Sequence, residues 1–151
     1  CDWSSDVCSS DLCLFCGLAA LEDETALILE RDEHTFTIMN AYPYTSGHVM
    51  VLPNRHEAEL TALDAAEASA LMLAAQRAAR VLETVYRPEG INLGINVGRA
   101  AGAGVPEHLH LHLVPRWAGD SNFMTAVAET RVLPETLEQS YARLRDGFGG
   151  R

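Results

Sequence analysis

The sequence contains no lysine, and all eleven of its basic residues are arginine. A P-loop needs a lysine that reaches the nucleotide phosphates, and pyridoxal phosphate enzymes need a lysine that forms a Schiff base. The absence of lysine excludes both classes, together with kinases and ligases that depend on a catalytic lysine. If the protein handles phosphate groups, the contacts must come from histidine, arginine, backbone N–H groups and helix ends.

Positive charge is scarce as well, because 21 acidic residues outweigh 11 basic ones and give a formal net charge of −10. An acidic surface argues against non-specific binding to nucleic acid or to an anionic membrane. The sequence also has no stretch of about 18 apolar residues free of charge, so it predicts no transmembrane helix. An anionic substrate must therefore be held by local groups rather than by the overall charge.

The first twelve residues, CDWSSDVCSSDL, resemble an in-frame translation of a sequencing-library adapter. They lack the basic start and the apolar middle of a signal peptide. We expect the native chain to enter near Cys13, a single domain to span residues 13–146 and a tail to occupy residues 147–151. Without the first twelve residues, 18 acidic residues remain against 11 basic ones, and the net charge is −7. Only Cys13 and Cys16 are then left, which removes the basis for a disulfide scaffold.

Hydrophobic patterning predicts an α+β fold. The predicted strands cover residues 26–30, 34–39, 47–53 and 91–97 and the histidine-rich run near residue 110; the predicted helices cover residues 64–86 and 134–145, and the predicted loops include residues 41–46 and 115–122. Strands on both sides of one long helix predict a mostly antiparallel sheet of about five strands. We expect helices to cover one face of this sheet and the other face to line a site.

The segment EHLHLHLVPRW carries histidine at positions 108, 110 and 112 and leucine at the alternate positions. This alternation has the period of a half-buried β-strand. It predicts that the three imidazoles point to one face, about 7 Å apart from each to the next, while the leucines enter the core. Imidazole can act as a nucleophile, a proton donor or a metal ligand near neutral pH.

Three interpretations of this strand are open. It could be a histidine-rich surface strand without a function, or a metal centre of the His-x-His kind found in zinc hydrolases. The second is disfavoured because the next polar residue is Arg116, which would repel a cation. We favour nucleophilic catalysis, in which one imidazole attacks phosphorus and its neighbours bind the phosphate oxygens. Neighbouring imidazoles disfavour each other's protonation, which keeps one of them free to attack.

The HLHLHLV run resembles the His-x-His-x-His-x-x motif of the histidine triad (HIT) superfamily of nucleotidyl hydrolases and transferases. FTIMNAYPYTSGHVMVLPNRH and INLGINVGRAAGAGVPEH resemble the strands that precede this motif. VPRWAGDSNFM resembles the branch that acts on dinucleoside polyphosphates, including bacterial diadenosine tetraphosphate phosphorylases. The resemblance spans about residues 13–145. It implies a HIT-like fold, a cytoplasmic homodimer with a small nucleotide substrate, and no organic cofactor.

The resemblance also implies catalytic roles. His110 would be the nucleophile that attacks the α-phosphorus and forms a nucleotidyl-histidine intermediate, which water, phosphate or another acceptor then resolves. His112 would donate to phosphate oxygens and help the leaving group. His48 would contact the same phosphate, although a hydrogen-bonded interior histidine is an alternative for this residue.

The family's nucleotide contacts match further positions. Asn96 would face the scissile phosphate, and Asn40 would accept the ribose hydroxyls, although Asn40 could instead be a turn residue. The apolar pocket for the base would draw on Phe36, Ile38 and residues 14–15.

One departure from the superfamily lies before the first triad histidine. Gly104 and Val105 stand where glutamine and serine are often found. Their backbone N–H groups would then bind the phosphate in place of side chains. The space that the missing side chains leave beside the phosphorus favours phosphorolysis over hydrolysis.

Cys13 and Cys16 form a C-x-x-C pair, which is half of a zinc site if two more ligands exist. A redox pair is an alternative, but no thioredoxin-like βαβ pattern follows it, and plain burial is another. In zinc-bearing members of the family, and in the related galactose-1-phosphate uridylyltransferases, such a pair joins two histidines. The resemblance implies that these are His56 and His108. Four ligands leave no open position, so the zinc would be structural.

Two other functions remain open beside an ATP adenylyltransferase or diadenosine tetraphosphate phosphorylase activity. The protein could hydrolyse adenosine phosphoramidate or adenylyl conjugates with the same nucleophile. It could also be a nucleotide-binding regulator with very slow turnover. A covalent nucleotide adduct on His110 would separate an enzyme from a regulator.

Overall fold

The computed structural model describes residues 13–120 and 134–149. In chain order the helices and strands are α1 Leu14–Ala19, α2 Asp23–Ala26, β1 Ile28–Arg31, β2 Thr35–Met39, β3 Val49–Pro53, α3 Ala65–Tyr86, β4 Gly90–Ile95, β5 Leu111–Arg116 and α4 Leu137–Gly147, with short 3₁₀ helices at Leu60–Ala62 and Arg99–Ala101. Within these ranges, no helix combines the length and the apolar character that crossing a membrane requires.

The five strands form one antiparallel sheet in the order β1-β2-β3-β5-β4. The α+β class, the five-stranded sheet, the long helix and the C-terminal helix are therefore confirmed. Strand β5 lies between β3 and β4, so the histidine-rich segment enters the middle of the sheet rather than its edge.

Helix α3 covers one face of the sheet. It begins at Ala65 because Asp64 and Glu67 form a capping box, in which each side chain accepts a hydrogen bond from the other residue's backbone N–H. Its buried side chains include three alanines, which let the helix approach the sheet closely; the full set is Leu71, Ala74, Ala75, Ala78 and Leu82. They pack with the leucines at positions 109, 111 and 113, which confirms that these leucines enter the core.

The opposite face of the sheet is also partly covered, and the expectation of a free face was wrong. Helix α1 places Phe15 in a second apolar cluster with residues of β1, β2 and β3, among them Phe36, Ile38 and Met50. All residues of β2 and β3 are consequently buried. The sequence did not predict α1 or α2 because helices of six and four residues are too short to show a periodic pattern.

Several predicted boundaries were also wrong. The first strand begins at Ile28 because α2 precedes it and Leu27 has a left-handed backbone conformation with φ 60°. Strand β4 is shifted from the predicted residues 91–97 to Gly90–Ile95. Pro115 and Arg116 lie in β5 rather than in a loop, because they pair with β4. The last two residues of that predicted loop, 121 and 122, lie outside the described residues.

Candidate active site and metal-binding cluster

The histidines of interest lie on the sheet face that carries α1. His112 is in β5, where it pairs with Met50 on one side and Gly94 on the other. His108 and His110 precede the first paired residue of β5, Leu111, so they continue the strand direction without belonging to the ladder. The ring centroids of His110 and His112 are 4.9 Å apart, closer than the predicted spacing of about 7 Å, because the two side chains lean toward each other.

A backbone carbonyl determines that Nδ1 of His110 carries a proton. Its Nδ1 lies 2.8 Å from the carbonyl oxygen of His108, so Nδ1–H donates and Nε2 keeps its lone pair. The residue is only 4% exposed. Apart from Ser46 Oγ, every fully buried side-chain nitrogen or oxygen of the described residues has a hydrogen-bond partner. His110 Nε2 has none among these residues, so it is not fully buried and is in contact with solvent. In the neutral tautomer with its proton on Nδ1, this nitrogen carries the lone pair that a nucleophile needs.

A chain of hydrogen bonds fixes the tautomers of His48 and His112. The backbone N–H of Tyr44 donates to Nδ1 of His48 at 3.1 Å, so His48 carries its proton on Nε2. That Nε2–H lies 2.9 Å from Nδ1 of His112 and donates to it. His112 must then carry its own proton on Nε2, which has no partner among the described residues. The result is an N–H donor beside the lone pair of His110.

His112 is held neutral. Burial, and after it the neighbouring His110, together lower its pKa to about 4. The ring of Tyr44 stacks near it, with centroids 6.3 Å apart. His48 is fully buried and hydrogen-bonds through both ring nitrogens inside the protein, so it orients His112; its contact with a phosphate stays a prediction.

Four side chains form a compact cluster on the α1 side of the triad: Cys13, Cys16, His56 and His108. Their potential ligand atoms all lie within 4.8 Å of one another. Measured distances between sulfur and Nδ1 are 3.5 Å for Cys13–His108, 3.4 Å for Cys16–His56 and 3.6 Å for Cys16–His108. A tetrahedral zinc with Zn–S of about 2.3 Å and Zn–N of about 2.0–2.1 Å places sulfur and nitrogen about 3.6 Å apart. The donor set and its spacing therefore fit a metal ion.

The tautomer of His108 suits this cluster. Its Nε2–H donates to the carbonyl oxygen of Pro53 at 3.0 Å, which leaves the Nδ1 lone pair directed at the two thiols. Burial lowers the pKa of His108 below its ordinary value, although the hydrogen bond to Pro53 acts in the opposite direction. A neutral ring with one fixed N–H is the form in which histidine binds metals.

Asn40 and Asn96 are the residues expected to contact the ribose and the scissile phosphate. Asn40 Oδ1 accepts the backbone N–H of Tyr42 at 2.9 Å, and its Nδ2 lies 3.3 Å from His48 Nδ1. The turn role of Asn40 is thus observed, and its role toward ribose stays a prediction. Asn96 is half-buried and follows Ile95, the last β4 residue, which pairs with Leu111. Asn96 therefore lies just beyond the last β4–β5 pair, and its contact with the scissile phosphate stays a prediction.

The residues expected around the base and the phosphate differ in accessibility. Phe36 and Ile38 are 1% and 2% exposed, so they lie within the apolar cluster, and their contact with a base stays a prediction. Val105 packs against the same cluster. At Gly104 an added Cβ atom would meet nothing within 4 Å, so there is open space at this point of the loop.

Three contacts at the site were missed by the sequence analysis. Tyr44 holds His48 through its backbone and packs its ring on it, with centroids 4.8 Å apart. Pro53 supplies the carbonyl that fixes His108, and the carbonyl of Glu57 accepts the N–H of Leu109 at 2.6 Å. All three involve backbone atoms, which carry no sequence signal; only the position of Tyr44, four residues before His48, could have drawn attention.

A groove of about 610 Å³ lies elsewhere, between α2 and α4. Its lining residues are Glu22, Asp23, Glu24, Thr25, Tyr141 and Arg145. The carboxylates that line it disfavour a polyphosphate, and Arg145 already pairs with Asp23 at 3.3 Å. The histidine cluster is therefore the better candidate for phosphate chemistry.

Comparison with known proteins agrees with this geometry. The HIT domain family model matches residues 21–119. A Mycobacterium tuberculosis protein named AP-4-A phosphorylase is 42% identical over 126 residues, which cover 83% of this chain and 65% of that protein. The chain thus spans about two thirds of the length of this relative. An uncharacterised HIT-like protein of Mycoplasma genitalium is 31% identical, with 85% of this chain and 89% of that protein covered.

A solved structure matches as well. The crystal structure of a zinc-bound histidine triad family protein from Mycobacterium smegmatis has a TM-score of 0.72 and 30% sequence identity. The match covers 91% of this chain and 94% of that one.

Proposed function

Because the chain belongs to the HIT domain family, we propose that it cleaves dinucleoside polyphosphates such as diadenosine tetraphosphate at the α-phosphorus. One observation carries this proposal: the Nε2 lone pair of His110 stands beside the N–H donor of His112, with both tautomers fixed by hydrogen bonds. The name of the mycobacterial relative supports the substrate class.

The reaction proceeds in two displacements. His110 Nε2 attacks the α-phosphorus, an N–P bond forms, and the bond from phosphorus to the bridging oxygen breaks. With diadenosine tetraphosphate the leaving group is ATP, and AMP stays on His110. His112 Nε2–H donates to a phosphate oxygen as charge develops there, and His48 keeps His112 in this tautomer.

We infer that inorganic phosphate, rather than water, resolves the intermediate. Phosphate attacks the adenylyl group, the N–P bond breaks, and ADP leaves. The open space at Gly104 supports this choice, because an incoming phosphate needs more room beside the phosphorus than water does.

The cysteine–histidine cluster is proposed to hold a structural zinc ion. Cys13, Cys16, His56 and His108 would bind it, and the ion would tie α1 to the start of the triad segment. The relative of known structure that contains zinc supports the identity of the metal. With four protein ligands there is no open position for water, so the proposed metal supplies rigidity and not a nucleophile.

A homodimer in the cytoplasm is proposed too. Strand β4 ends the sheet within the described residues, and Leu93 and Val97 on this side are 49% and 38% exposed. An edge strand with apolar side chains favours pairing with a second copy.

Product analysis tests the proposed reaction. The full chain is incubated with diadenosine tetraphosphate, with and without inorganic phosphate, and nucleotides are separated by chromatography. We expect ADP and ATP in the presence of phosphate and little turnover without it. AMP and ATP formed at the same rate in phosphate-free buffer would identify a hydrolase instead.

A matched pair of variants tests the nucleophile. His110→Asn should lose at least about 10³-fold in turnover and form no acid-labile adenylyl adduct by mass spectrometry. His34→Asn, which changes a histidine in the turn between β1 and β2, should keep both. Nucleotide binding without adduct or product in the unmodified chain would favour the regulator, and turnover confined to adenosine phosphoramidate would favour the phosphoramidate hydrolase.

A further inference from the structure

The imidazoles of His48 and His112, as described, bring no formal positive charge to the site. His112 is neutral at physiological pH, and His48 is held neutral because its Nδ1 accepts a backbone N–H. The chain as a whole is strongly acidic. A polyphosphate carries several negative charges, and neutral imidazoles offer only hydrogen bonds to them. A cation near the histidines would therefore complete the site, and the chain has only arginine to provide it.

Most arginines in the described ranges are already paired with carboxylates. Ion pairs hold Arg31, Arg55, Arg77, Arg116, Arg143 and Arg145. Among described residues, Arg80, Arg87 and Arg99 have no carboxylate partner. Arg80 lies on α3 and Arg87 ends it, on the leucine side of the sheet. Arg99 alone of the three lies on the segment that leads from β4 to the triad.

The position of Arg99 is well defined. It opens the 3₁₀ turn Arg99–Ala101, which is closed by hydrogen bonds from Ala101 and Ala103 to the carbonyl oxygen of Gly98 at 3.2 and 3.4 Å. Gly98 and Gly102 flank the turn with φ of 80° and 89°, a conformation that favours glycine. Arg99 is exposed, three residues after Asn96, and the same segment then runs back to His108.

The surroundings of this turn are open. Added Cβ atoms at Gly98, Gly102 and Gly104 would meet nothing within 4 Å. The one acidic residue between positions 96 and 107 is Glu107, and it forms no ion pair with Arg99 within the described residues. Arg99 is thus exposed in a turn with open space at its glycines, on the segment that joins β4 to the histidines.

We propose that Arg99 binds the part of the polyphosphate chain that lies beyond the scissile phosphorus. The proposal rests on the proposed function, because it names a residue that holds the leaving group of that reaction. The planar guanidinium can donate two parallel hydrogen bonds to phosphate oxygens. Arg99 would then set the preference for substrates with several phosphates over nucleotides with one.

A binding experiment tests the assignment without requiring turnover. Calorimetry measures the binding of inorganic tripolyphosphate and of AMP to the full chain, to Arg99→Gln and to Arg80→Gln. We expect Arg99→Gln to weaken tripolyphosphate binding about tenfold and to leave AMP within about twofold, with Arg80→Gln unchanged for both. Arg99→Lys should fall between, since lysine keeps the charge but not the paired donors. Equal tripolyphosphate binding by Arg99→Gln, or none by the unmodified chain, overturns the proposal.

Kinetic measurements distinguish a role of Arg99 in binding the leaving group from a role in binding the incoming phosphate. Arg99→Gln should reduce kcat/KM for diadenosine tetraphosphate about tenfold and leave kcat/KM for adenosine phosphoramidate unchanged. An equal loss on both substrates, or a change only in KM for inorganic phosphate, contradicts the assignment. If the unmodified chain turns over neither substrate, the proposed function fails, and the binding experiment still decides the role of Arg99.

Discussion

Each imidazole at the candidate active site carries its proton on a nitrogen that a neighbouring atom selects. The His108 carbonyl selects Nδ1 for His110, and the Tyr44 N–H selects Nε2 for His48, which in turn selects Nε2 for His112. The lone pair and the N–H donor that the proposed reaction needs are consequently present together in the neutral rings before any substrate binds. Preorganisation of this kind lowers the cost of reaching the transition state.

The depressed pKa of His112 predicts a loss of stability in acid. The folded chain has a pKa of about 4 at His112, whereas the ordinary value is 6.5, so the unfolded chain binds more protons between these two values. The contribution is present above pH 6.5 and is lost as pH falls toward 4. The titratable groups that face the ring are His48, His110 and Tyr44. Because the ring is partly exposed, we expect a loss of about 1 kcal/mol between pH 7 and pH 5.

Urea unfolding at both pH values measures this contribution. Subtracting the result for His112→Gln from that of the unmodified chain removes the other titrating groups. His34→Gln serves as the control and should keep the original difference between the two pH values. The prediction is wrong if His112→Gln and the unmodified chain lose the same free energy.

Sequence spacing was sufficient to place side chains on faces but not to place protons. Alternation along residues 108–113 correctly separated histidines from leucines, because a strand has only two sides. The tautomers depend on Tyr44 N–H and on the carbonyl groups of Pro53 and His108, and backbone atoms are the same for every residue type. The spacing therefore did not predict the hydrogen bond between His48 and His112.

Among the helices and strands, α1 is linked to the triad segment by the cysteine–histidine cluster. Helix α1 has six residues and no side-chain hydrogen bond at its N-terminus, so it has little stability of its own. Phe15 packs between the rings of His108 and His110, with centroids 5.7 and 5.2 Å away. The position of Phe15 beside the histidines therefore depends on the interactions that fix α1 against the sheet.

We expect the proposed zinc ion to contribute much of the stability that keeps α1 in place against the triad segment. Cys16→Ser should lower the bound metal below one ion per chain and reduce the free energy of unfolding by about 2–4 kcal/mol, because the binding energy of a structural metal contributes to folding. Metal content is measured by mass spectrometry and unfolding by thermal melts with and without chelator. Cys8→Ser, in the part of the chain that the structure does not describe, is the matched control. An unmodified chain without metal, or a melt that chelator does not shift, would contradict this.

Element prediction succeeded where the pattern was long and failed where it was short. Helix α3 has 22 residues and an Asp64–Glu67 capping box, so its start was predicted within one residue. Helices α1 and α2 have too few turns for periodicity, and their absence from the prediction led to the wrong expectation of an open sheet face. Pro115 was assigned to a loop, yet it pairs within β5 opposite Ile91.

At the scale of the whole molecule, the proposed homodimer would pair β4 with its copy. Leu93→Asp should place a charge in that interface and halve the molar mass measured by light scattering, since burying an unpaired carboxylate is costly. Leu21→Asp, on a residue that is 47% exposed between α1 and α2, adds the same charge elsewhere and should leave the mass unchanged. A monomeric unmodified chain, or a dimer that survives Leu93→Asp, would disprove this interface.

The ring and the backbone carbonyl of His108 make three separate contacts, and these determine which variants can test the role of the proposed metal. One ring nitrogen faces the thiols, the other donates to Pro53, and the carbonyl holds the proton of the nucleophile. No other residue type offers two ring nitrogens with this geometry, so a replacement at 108 removes a thiol-facing nitrogen and the hydrogen bond to Pro53 together, and it loosens the backbone whose carbonyl accepts from His110. Whether the proposed catalysis needs the proposed metal is therefore learned from variants at positions 13, 16 and 56, which lie outside the segment that carries the triad histidines.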